Sequence, residues 1–346
     1  MAASPGFDRR ALLKGGLTVT AVGALGAFGT ARADASVAAP EIYGTGDWGA
    51  RPPSGAITVE NHKPTYIVVH HTVEPGNSED YSKERAFQIS RDIQNFHMNT
   101  RGWIDTGQQF TNSRGGFVTE GRHRSLEILR GGTQHVQGAN VANHNSEVIG
   151  IENEGLYSTV DVPRALWDSL VKLVAYIASQ YGIPPENIKG HRDFNSTECP
   201  GQVLYDRLPE LRQAVGGALG RSVAAPLEWP LLKPGDTGRK VLAAQHLLRA
   251  RGARSVPADG VFGPSTRDAV SALAAAHGLT GHTCYAAAHA DETGFLGADI
   301  WPLITPSVRP GTGDEAARAA GALVEATGTR VTGVLTPRTW QELLAS

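Results

Sequence analysis

The stretch Tyr66–His71, with the sequence YIVVHH, decides the fold. It is a short, continuous apolar run, which is typical of a strand that is covered on both faces. Two histidines end it, and successive side chains of a strand point to opposite faces. One site can therefore take only one of His70 and His71. The alternation alone leaves open which of the two faces a site and which is a polar residue at the end of a strand.

The residues around this strand predict a mixed α/β domain over residues 42–213. Helices are expected where apolar residues recur at helical spacing, at residues 82–98 and 163–181. Pro163 suits the first turn of the second helix and Gly182 its end. Further strands are expected at residues 108–111, 116–119 and 148–153, the first two of them paired around a turn.

The composition changes after this domain. Residues 214–230 are rich in glycine and alanine and are interpreted as a linker. Residues 231–346 are rich in alanine and contain a recurring element. Its copies are DGVFGPST at 259–266, TGFLGADIW at 293–301 and TGVLTPRTW at 332–340. A repeated turn that leads into a helix predicts a small helical module built from internal repeats.

Residues 1–35 predict an export signal. DRRALLK at 8–14 resembles the twin-arginine motif, a stretch rich in glycine, alanine and valine follows, and small residues at 31–35 suit cleavage. No other segment is apolar enough to cross a membrane. We therefore expect a mature protein outside the cytoplasmic membrane, secreted or in the cell wall, with no stable membrane insertion.

Charge and cysteine content narrow the possible functions. The 34 acidic residues nearly balance the 32 basic ones, which argues against a nucleic-acid partner. Cys199 and Cys284 are the only cysteines of the sequence. A disulfide is one interpretation for an exported chain. The surroundings of Cys199 favour metal binding instead, which would leave Cys284 as a buried, inert thiol.

The segment GHRDFNSTECPG at residues 190–201 supplies those surroundings. Its Cys-Pro-Gly turn can fold Cys199 back towards His191. Thiolate and neutral imidazole are both good zinc ligands. With one histidine of the strand they would give three protein ligands and leave a fourth position for water, which is the composition of a catalytic zinc site rather than a structural one.

A carboxylate pair on the strand at residues 148–153 points to a cleft. Alternation places Glu152 and Glu154 on one face, and unpaired carboxylates are costly to bury on an apolar strand. A solvent-facing strand surface is the alternative. Four other histidines of the domain are interpreted as structural, although His144 could line the cleft: His97, His123, His135 and His144.

Together these motifs resemble the zinc N-acetylmuramoyl-L-alanine amidases, which share a fold with peptidoglycan recognition proteins. The resemblance rests on the strand ending in HHT at 70–72, QNFHM at 94–98, GW at 102–103, DTG at 105–107, IGIE at 149–152, and the GHR and TECPG of residues 190–201. It implies a mixed central sheet flanked by helices and the zinc ligands His70, His191 and Cys199. It also implies catalytic roles for Glu152 as proton carrier and Thr197 near the scissile carbonyl.

The same resemblance exposes one departure. The amidases among the recognition proteins carry a tyrosine where this chain has Gln108, and glutamine cannot act as a general base. This moves the proton-transfer role towards Glu152. A non-catalytic recognition protein is the alternative function, although such proteins typically lack the cysteine ligand. Arg122 and Arg124 could meet peptide carboxylates or form a solvated basic turn.

Residues 231–346 resemble the peptidoglycan-binding modules of cell-wall hydrolases, with a degenerate second repeat. The expected activity is zinc-dependent hydrolysis of the amide between N-acetylmuramic acid and L-alanine. The expected partners are peptidoglycan and muropeptides, acted on by a monomer.

Overall fold

The computed structural model describes residues 37–279, 291–309, 314–327 and 333–345. The predicted export signal and Cys284 lie outside the described residues. Within them, no helix combines the length and the hydropathy that are needed to cross a membrane.

The strands of the described residues form one large sheet and one small one. They are β1 (Ile42–Tyr43), β2 (Val59–Glu60), β3 (Tyr66–His71), β4 (Phe110–Asn112), β5 (Val118–Glu120), β6 (His135–Val136), β7 (Val148–Asn153) and β8 (Ile188–Gly190). The large sheet has the order β1-β5-β4-β7-β3-β8, and β2 pairs with β6. All pairs of the large sheet are parallel except β4–β5, so the predicted mixed sheet is confirmed.

The helices follow the predicted pattern closely in the first domain. They are α1 (Lys83–Asn99), α2 (Ser125–Gly131), α3 (Arg164–Tyr181), α4 (Gln202–Asp206), α5 (Leu208–Leu219), α6 (Arg239–Ala250), α7 (Pro264–Ala276), α8 (Trp301–Ile304), α9 (Glu315–Thr327) and α10 (Pro337–Ala345). Ser82 caps α1 by accepting a hydrogen bond from the backbone N–H of Arg85. Pro163 precedes α3 rather than lying in its first turn, and Gly182 ends that helix with φ 75°.

Strands β7 and β3 are neighbours in the large sheet and pair in parallel register, with His70 opposite Glu152. One face of these strands belongs to the main hydrophobic core, where Ile67 and Ile151 pack together with the apolar stripe of α3. The other face carries His70 and Glu152. Because β3 lies between β7 and β8, its carboxyl end lies beside the turn that follows β8.

The predicted linker begins too early. Residues 214–219 belong to α5, and Val215 and Leu219 lie in the main core. Gly216 suggested a flexible segment, but a Cβ there would lie 2.5 Å from Cγ2 of Val223. Close packing, rather than chain flexibility, therefore accounts for this glycine, and the irregular segment runs from Gly220 to residue 230.

The C-terminal region contains the predicted helices and a structural repeat. The indole of Trp301 donates to the carbonyl of Pro230 at 2.7 Å, and that of Trp340 donates to the carbonyl of Pro306 at 2.8 Å. Both tryptophans are fully buried in one hydrophobic cluster. Two matching bridges accompany these contacts: Leu232 with Leu296, and Val308 with Leu335. The repeated sequence element thus corresponds to a repeated contact.

Candidate metal centre

Three buried side chains from distant parts of the chain meet at the end of β3. Each of His70, His191 and Cys199 offers one ligand atom, and these atoms all lie within 4.8 Å of one another. His71 faces the other side of the strand, where its Nδ1 accepts a hydrogen bond from the backbone N–H of Tyr157. The structure thus groups His70, and not His71, with His191 and Cys199.

The loop between His191 and Cys199, hereafter the ligand loop, is closed by backbone contacts. The N–H of Arg192 donates to the carbonyl of Cys199 at 3.0 Å, which brings the two ends together. Gly201 has φ 88°, and a Cβ there would lie 2.4 Å from the carbonyl carbon of Tyr157. Only glycine fits this turn. The predicted folding back of Cys199 towards His191 is confirmed.

The donor set fits one zinc ion. Sγ of Cys199 lies 3.6 Å from Nδ1 of His70. A tetrahedral zinc with ordinary Zn–S and Zn–N bond lengths places its sulfur and nitrogen ligands about 3.6 Å apart. Nε2 of His191 lies 3.1 Å from Oδ1 of Asn195, the kind of partner that orients a ligating imidazole.

The protonation of the histidines also suits metal binding. Burial lowers the pKa of His70 to about 3, with a smaller contribution from His71, while the Asn140 side chain opposes the shift. Burial likewise lowers the pKa of His71 to about 3. His70 is therefore neutral at physiological pH, and a neutral imidazole has the lone pair that a metal needs.

Glu152 and Glu154, which the sequence places on one face, have different environments. Glu154 pairs with the Arg85 guanidinium at 2.7 Å and accepts from the backbone N–H of Arg114 at 3.0 Å, so its charge is compensated. Glu152 is only 2% exposed. Its Oε2 has no hydrogen-bonding partner among the described residues, and burial raises its pKa to about 8. The alternative of a solvent-facing surface is wrong.

Gln108 lies on the edge of the same polar face. Its Nε2 donates to Oγ1 of Thr111 at 2.9 Å, and the Cα of Thr111 lies opposite that of Glu152 in the β4–β7 pair. The side chain is buried, and its Oε1 has no hydrogen-bonding partner in the part of the chain that the structure describes. An amide with a spare acceptor thus occupies the position where the resemblance implies a tyrosine.

Thr197 is tied to the C-terminal module through a residue that the sequence analysis missed. Its Oγ1 donates to Oε1 of Glu292 at 2.9 Å and accepts from the N–H of Cys199 at 3.1 Å. The same Glu292 oxygen accepts from the N–H of Glu198 at 2.7 Å. Glu292 belongs to no motif of the first domain and lies 95 residues after Thr197, so no sequence signal singled it out.

The two arginine candidates differ from each other. Arg122 is buried and donates to the carbonyls of Thr106 at 2.7 Å and Gln137 at 2.8 Å, so it joins two backbone segments. Both predictions for Arg122, a contact with peptide carboxylates and a place in a solvated turn, are wrong. Arg124 is partly exposed and lies 3.5 Å from Glu127. Its position agrees with a solvated basic turn.

Structural contacts account for the other histidines. His97 accepts from the N–H of Gly107 at 3.0 Å, and His123 lies 2.8 Å from Oδ2 of Asp105. His135 lies 2.9 Å from the carbonyl of His62. His144 pairs with Glu147 at 3.0 Å and packs on Phe194. None of these four is part of the cluster of metal donors found among the described residues.

The chain is similar to known proteins over the domain that contains this centre. The family model described as N-acetylmuramoyl-L-alanine amidase matches residues 60–202. Peptidoglycan-recognition protein LB of Drosophila melanogaster is 31% identical over 170 residues, which are 49% of this chain and 68% of that protein. The chain belongs to the N-acetylmuramoyl-L-alanine amidase family. The matched region contains all three metal donors together with Glu152 and Thr197.

This family has both amidases and recognition proteins as members that resemble the chain. The human N-acetylmuramoyl-L-alanine amidase is 29% identical over 197 residues, which are 55% of this chain and 32% of that protein. A solved structure of Drosophila PGRP-LB is 29% identical and covers 49% of this chain and 92% of its own, with a TM-score of 0.43. A peptidoglycan binding domain model matches residues 237–282.

Proposed function

We propose that the chain is a zinc-dependent hydrolase that cuts the amide between N-acetylmuramic acid and L-alanine in peptidoglycan. The observation that carries the proposal is the buried cluster of His70, His191 and Cys199 within the matched amidase region. Three donors of this kind leave a coordination position open, as catalytic zinc sites do. The cysteine favours an enzyme over a recognition protein.

The protein supplies the proton chemistry beside that centre. A zinc ion held here would lower the pKa of a bound water towards about 7 and polarise the scissile carbonyl. We assign Glu152, on the face of His70, to take the water proton in its ionised form, which a zinc cation beside it would favour, and to return that proton to the departing L-alanine nitrogen. Such general acid–base help typically contributes about 10²–10⁴-fold in rate.

Thr197 has a more restricted role than the resemblance implied. A hydroxyl has one proton to donate, and here Thr197 donates it to Glu292. We therefore assign Thr197 first to holding the ligand loop. It can donate to a substrate oxygen only when that oxygen replaces Glu292 as its acceptor.

The remaining parts of the proposal concern location and binding. The match of residues 237–282 to a peptidoglycan binding domain supports a second contact with the cell wall. The twin-arginine-type signal at residues 8–14 supports export before action on the wall. We propose that the protein acts as a monomer with peptidoglycan as its only macromolecular partner.

Digestion of purified sacculi tests the proposal. The zinc-loaded full chain should release stem peptides with new L-alanine amino termini, which mass spectrometry detects, together with glycan that keeps its lactyl groups. A chelator should stop the release and added zinc should restore it. Binding to sacculi without any release would show a recognition protein, and cuts inside the stem peptide would show a peptidase.

A further inference from the structure

The C-terminal module contacts the ligand loop at three consecutive residues just before Cys199. The hydroxyl of Ser196 contacts Asp299 and the N–H of Gly297. Thr197 and Glu198 both contact Glu292. Glu198 also pairs with Lys233. Gly297 packs so closely that a Cβ there would lie 2.8 Å from Cα of Ser196. The module therefore packs directly against the segment that presents the cysteine of the candidate metal centre.

Tyr205 of α4 joins the other end of the same loop to Glu228 of the linker. The hydroxyl of Tyr205 lies 2.6 Å from Oδ1 of Asp193 and 2.8 Å from Oε2 of Glu228. Glu228 is also held by Arg212 at 2.6 Å. Residues outside the matched amidase region thus contact the ligand loop near both His191 and Cys199.

Glu292 is the most buried acidic residue among these contacts. It is 6% exposed, and its Oε2 has no hydrogen-bonding partner among the described residues. A carboxylate is costly to bury unless it is fully paired. Lys233 and Glu198 form a more exposed ion pair at 2.8 Å, which joins the same two regions without that cost. Simple attachment of the module does not require Glu292.

The hydrogen bonds of Glu292 lead to the cysteine. Oε1 of Glu292 accepts the hydroxyl proton of Thr197, and that hydroxyl oxygen accepts the N–H of Cys199. A second bond from the N–H of Glu198 to the same carboxylate oxygen fixes the intervening backbone. The chain Glu292–Thr197–Cys199 therefore holds the backbone N–H of Cys199, while the N–H of Arg192 holds its carbonyl, and together they position the thiol beside His70.

We infer that Glu292 is a positioning residue for the proposed metal centre: it holds Thr197 and Glu198 so that Cys199 presents its sulfur to the metal. The inference rests on the proposed function, because it needs the metal. Partners that orient metal ligands typically contribute about 10- to 100-fold to metal affinity. The C-terminal module is then part of the centre as well as a wall-binding domain.

Zinc affinity of the full chain, measured by competition with a chromophoric chelator, tests this inference. Glu292→Ala removes the acceptor and should weaken zinc binding about 10- to 100-fold. Glu292→Gln keeps an Oε1 acceptor at the same place and should bind zinc nearly as tightly as the unaltered chain. Thr197→Val breaks the same chain of bonds, so it should weaken binding as much as Glu292→Ala, with no further loss in the double variant.

Lys233→Met is the matched control, since it breaks a contact to the same loop without touching Thr197. It should leave zinc affinity unchanged, and the melting temperatures of the metal-free variants report any general loss of stability. Unchanged affinity in Glu292→Ala or in Thr197→Val would overturn the inference, as would an equal loss in Glu292→Gln. If Glu292→Ala does not fold, the zinc affinities of Glu292→Gln and Thr197→Val still test the inference.

The outcomes separate this inference from the proposed function. An unaltered chain that binds no zinc overturns both. Tight zinc binding that is insensitive to Glu292 overturns only the inference. Zinc binding that follows the expected series, without release of stem peptides from sacculi, supports the positioning role and overturns the proposed hydrolysis.

Discussion

At the carboxyl ends of β3 and β7, neighbouring residues face opposite sides of the sheet: Val69 and Ile151 face the main core, and His70 and Glu152 face the candidate site. On the core face, Val69 and Ile151 are fully buried in the cluster around α3. On the site face, His70 and Glu152 are almost as deeply buried but are ionisable. Burying ionisable groups costs folding free energy. Packing of the apolar side chains in the core must offset this cost. Adjacent residues of one strand thus have different roles, because successive side chains point to opposite faces of the sheet.

The largest expected effect separates the two histidines at the end of β3. His70→Ala should abolish stoichiometric zinc binding and release of stem peptides, because only two donors remain. Zinc content by atomic absorption and digestion of sacculi measure the two effects.

His71→Ala is the control for that substitution. It should keep zinc and cost about 1–3 kcal/mol in unfolding free energy, because the buried N–H of Tyr157 loses its acceptor. Loss of zinc in His71→Ala, or full zinc in His70→Ala, would contradict the assignment of the two faces.

Glu152→Gln tests the polar face without removing a metal donor. Zinc content should stay unchanged and the turnover number should fall by about 10²–10⁴-fold, since the amide cannot carry the proton. Steady-state kinetics on soluble muropeptides gives the value. Turnover within a few fold of that of the unaltered chain would assign the proton transfer to another group.

Ile151→Ala tests the core face at the neighbouring residue. The side chain is fully buried, so its truncation should cost about 2–5 kcal/mol in unfolding free energy. At temperatures where the variant is folded, zinc binding should be kept. Denaturant unfolding and zinc titration measure the two quantities, and weaker zinc binding in the folded variant would mean that the two faces are not independent.

The smallest expected effect concerns His123, which lies outside the metal-donor cluster and is paired with Asp105. The hydrogen bond to Asp105 raises the pKa of His123 above 6.5. For Asp105, burial acts to raise the pKa, but its hydrogen bonds, chiefly those to His123, outweigh burial, so the pKa of this carboxyl lies below 3.8. The pair stabilises the fold most between about pH 4 and 6.5. This contribution falls as the pH rises through the pKa of His123, and also as it falls through that of Asp105.

His123→Gln should therefore lower the unfolding free energy by no more than about 1 kcal/mol near pH 5.5, and by less at pH 8, because the pair is partly exposed. Urea titrations at the two pH values measure the difference. Zinc affinity should not change, and an equal or larger loss at pH 8 would contradict the ion pair.

Much of the first domain could be predicted because its elements carry strong local patterns. The apolar run of β3 and the stripe of α3 were recognised within one residue of their observed ends. The linker was predicted wrongly because glycine is a signal of flexibility and also of close packing. Gly216 belongs to the second kind, and only its neighbours in space distinguish the two.

The sequence by itself determined which residue types are present and how they alternate. It restricted the metal to one of His70 and His71 and placed Glu152 and Glu154 on a common face. It could not bring Cys199 to His70, which lies 129 residues earlier, except through the family resemblance. Local propensity acts over a few residues, whereas these contacts depend on how strands are ordered in the sheet.

The tertiary structure alone decided the environments of these groups. It gave Glu154 an arginine partner and left an oxygen of Glu152 without a partner among the described residues. It also placed Glu292 against Thr197, across 95 residues of chain. Burial and hydrogen bonding between distant segments set the charge state and position of each group, and neither exists until the packed fold has formed.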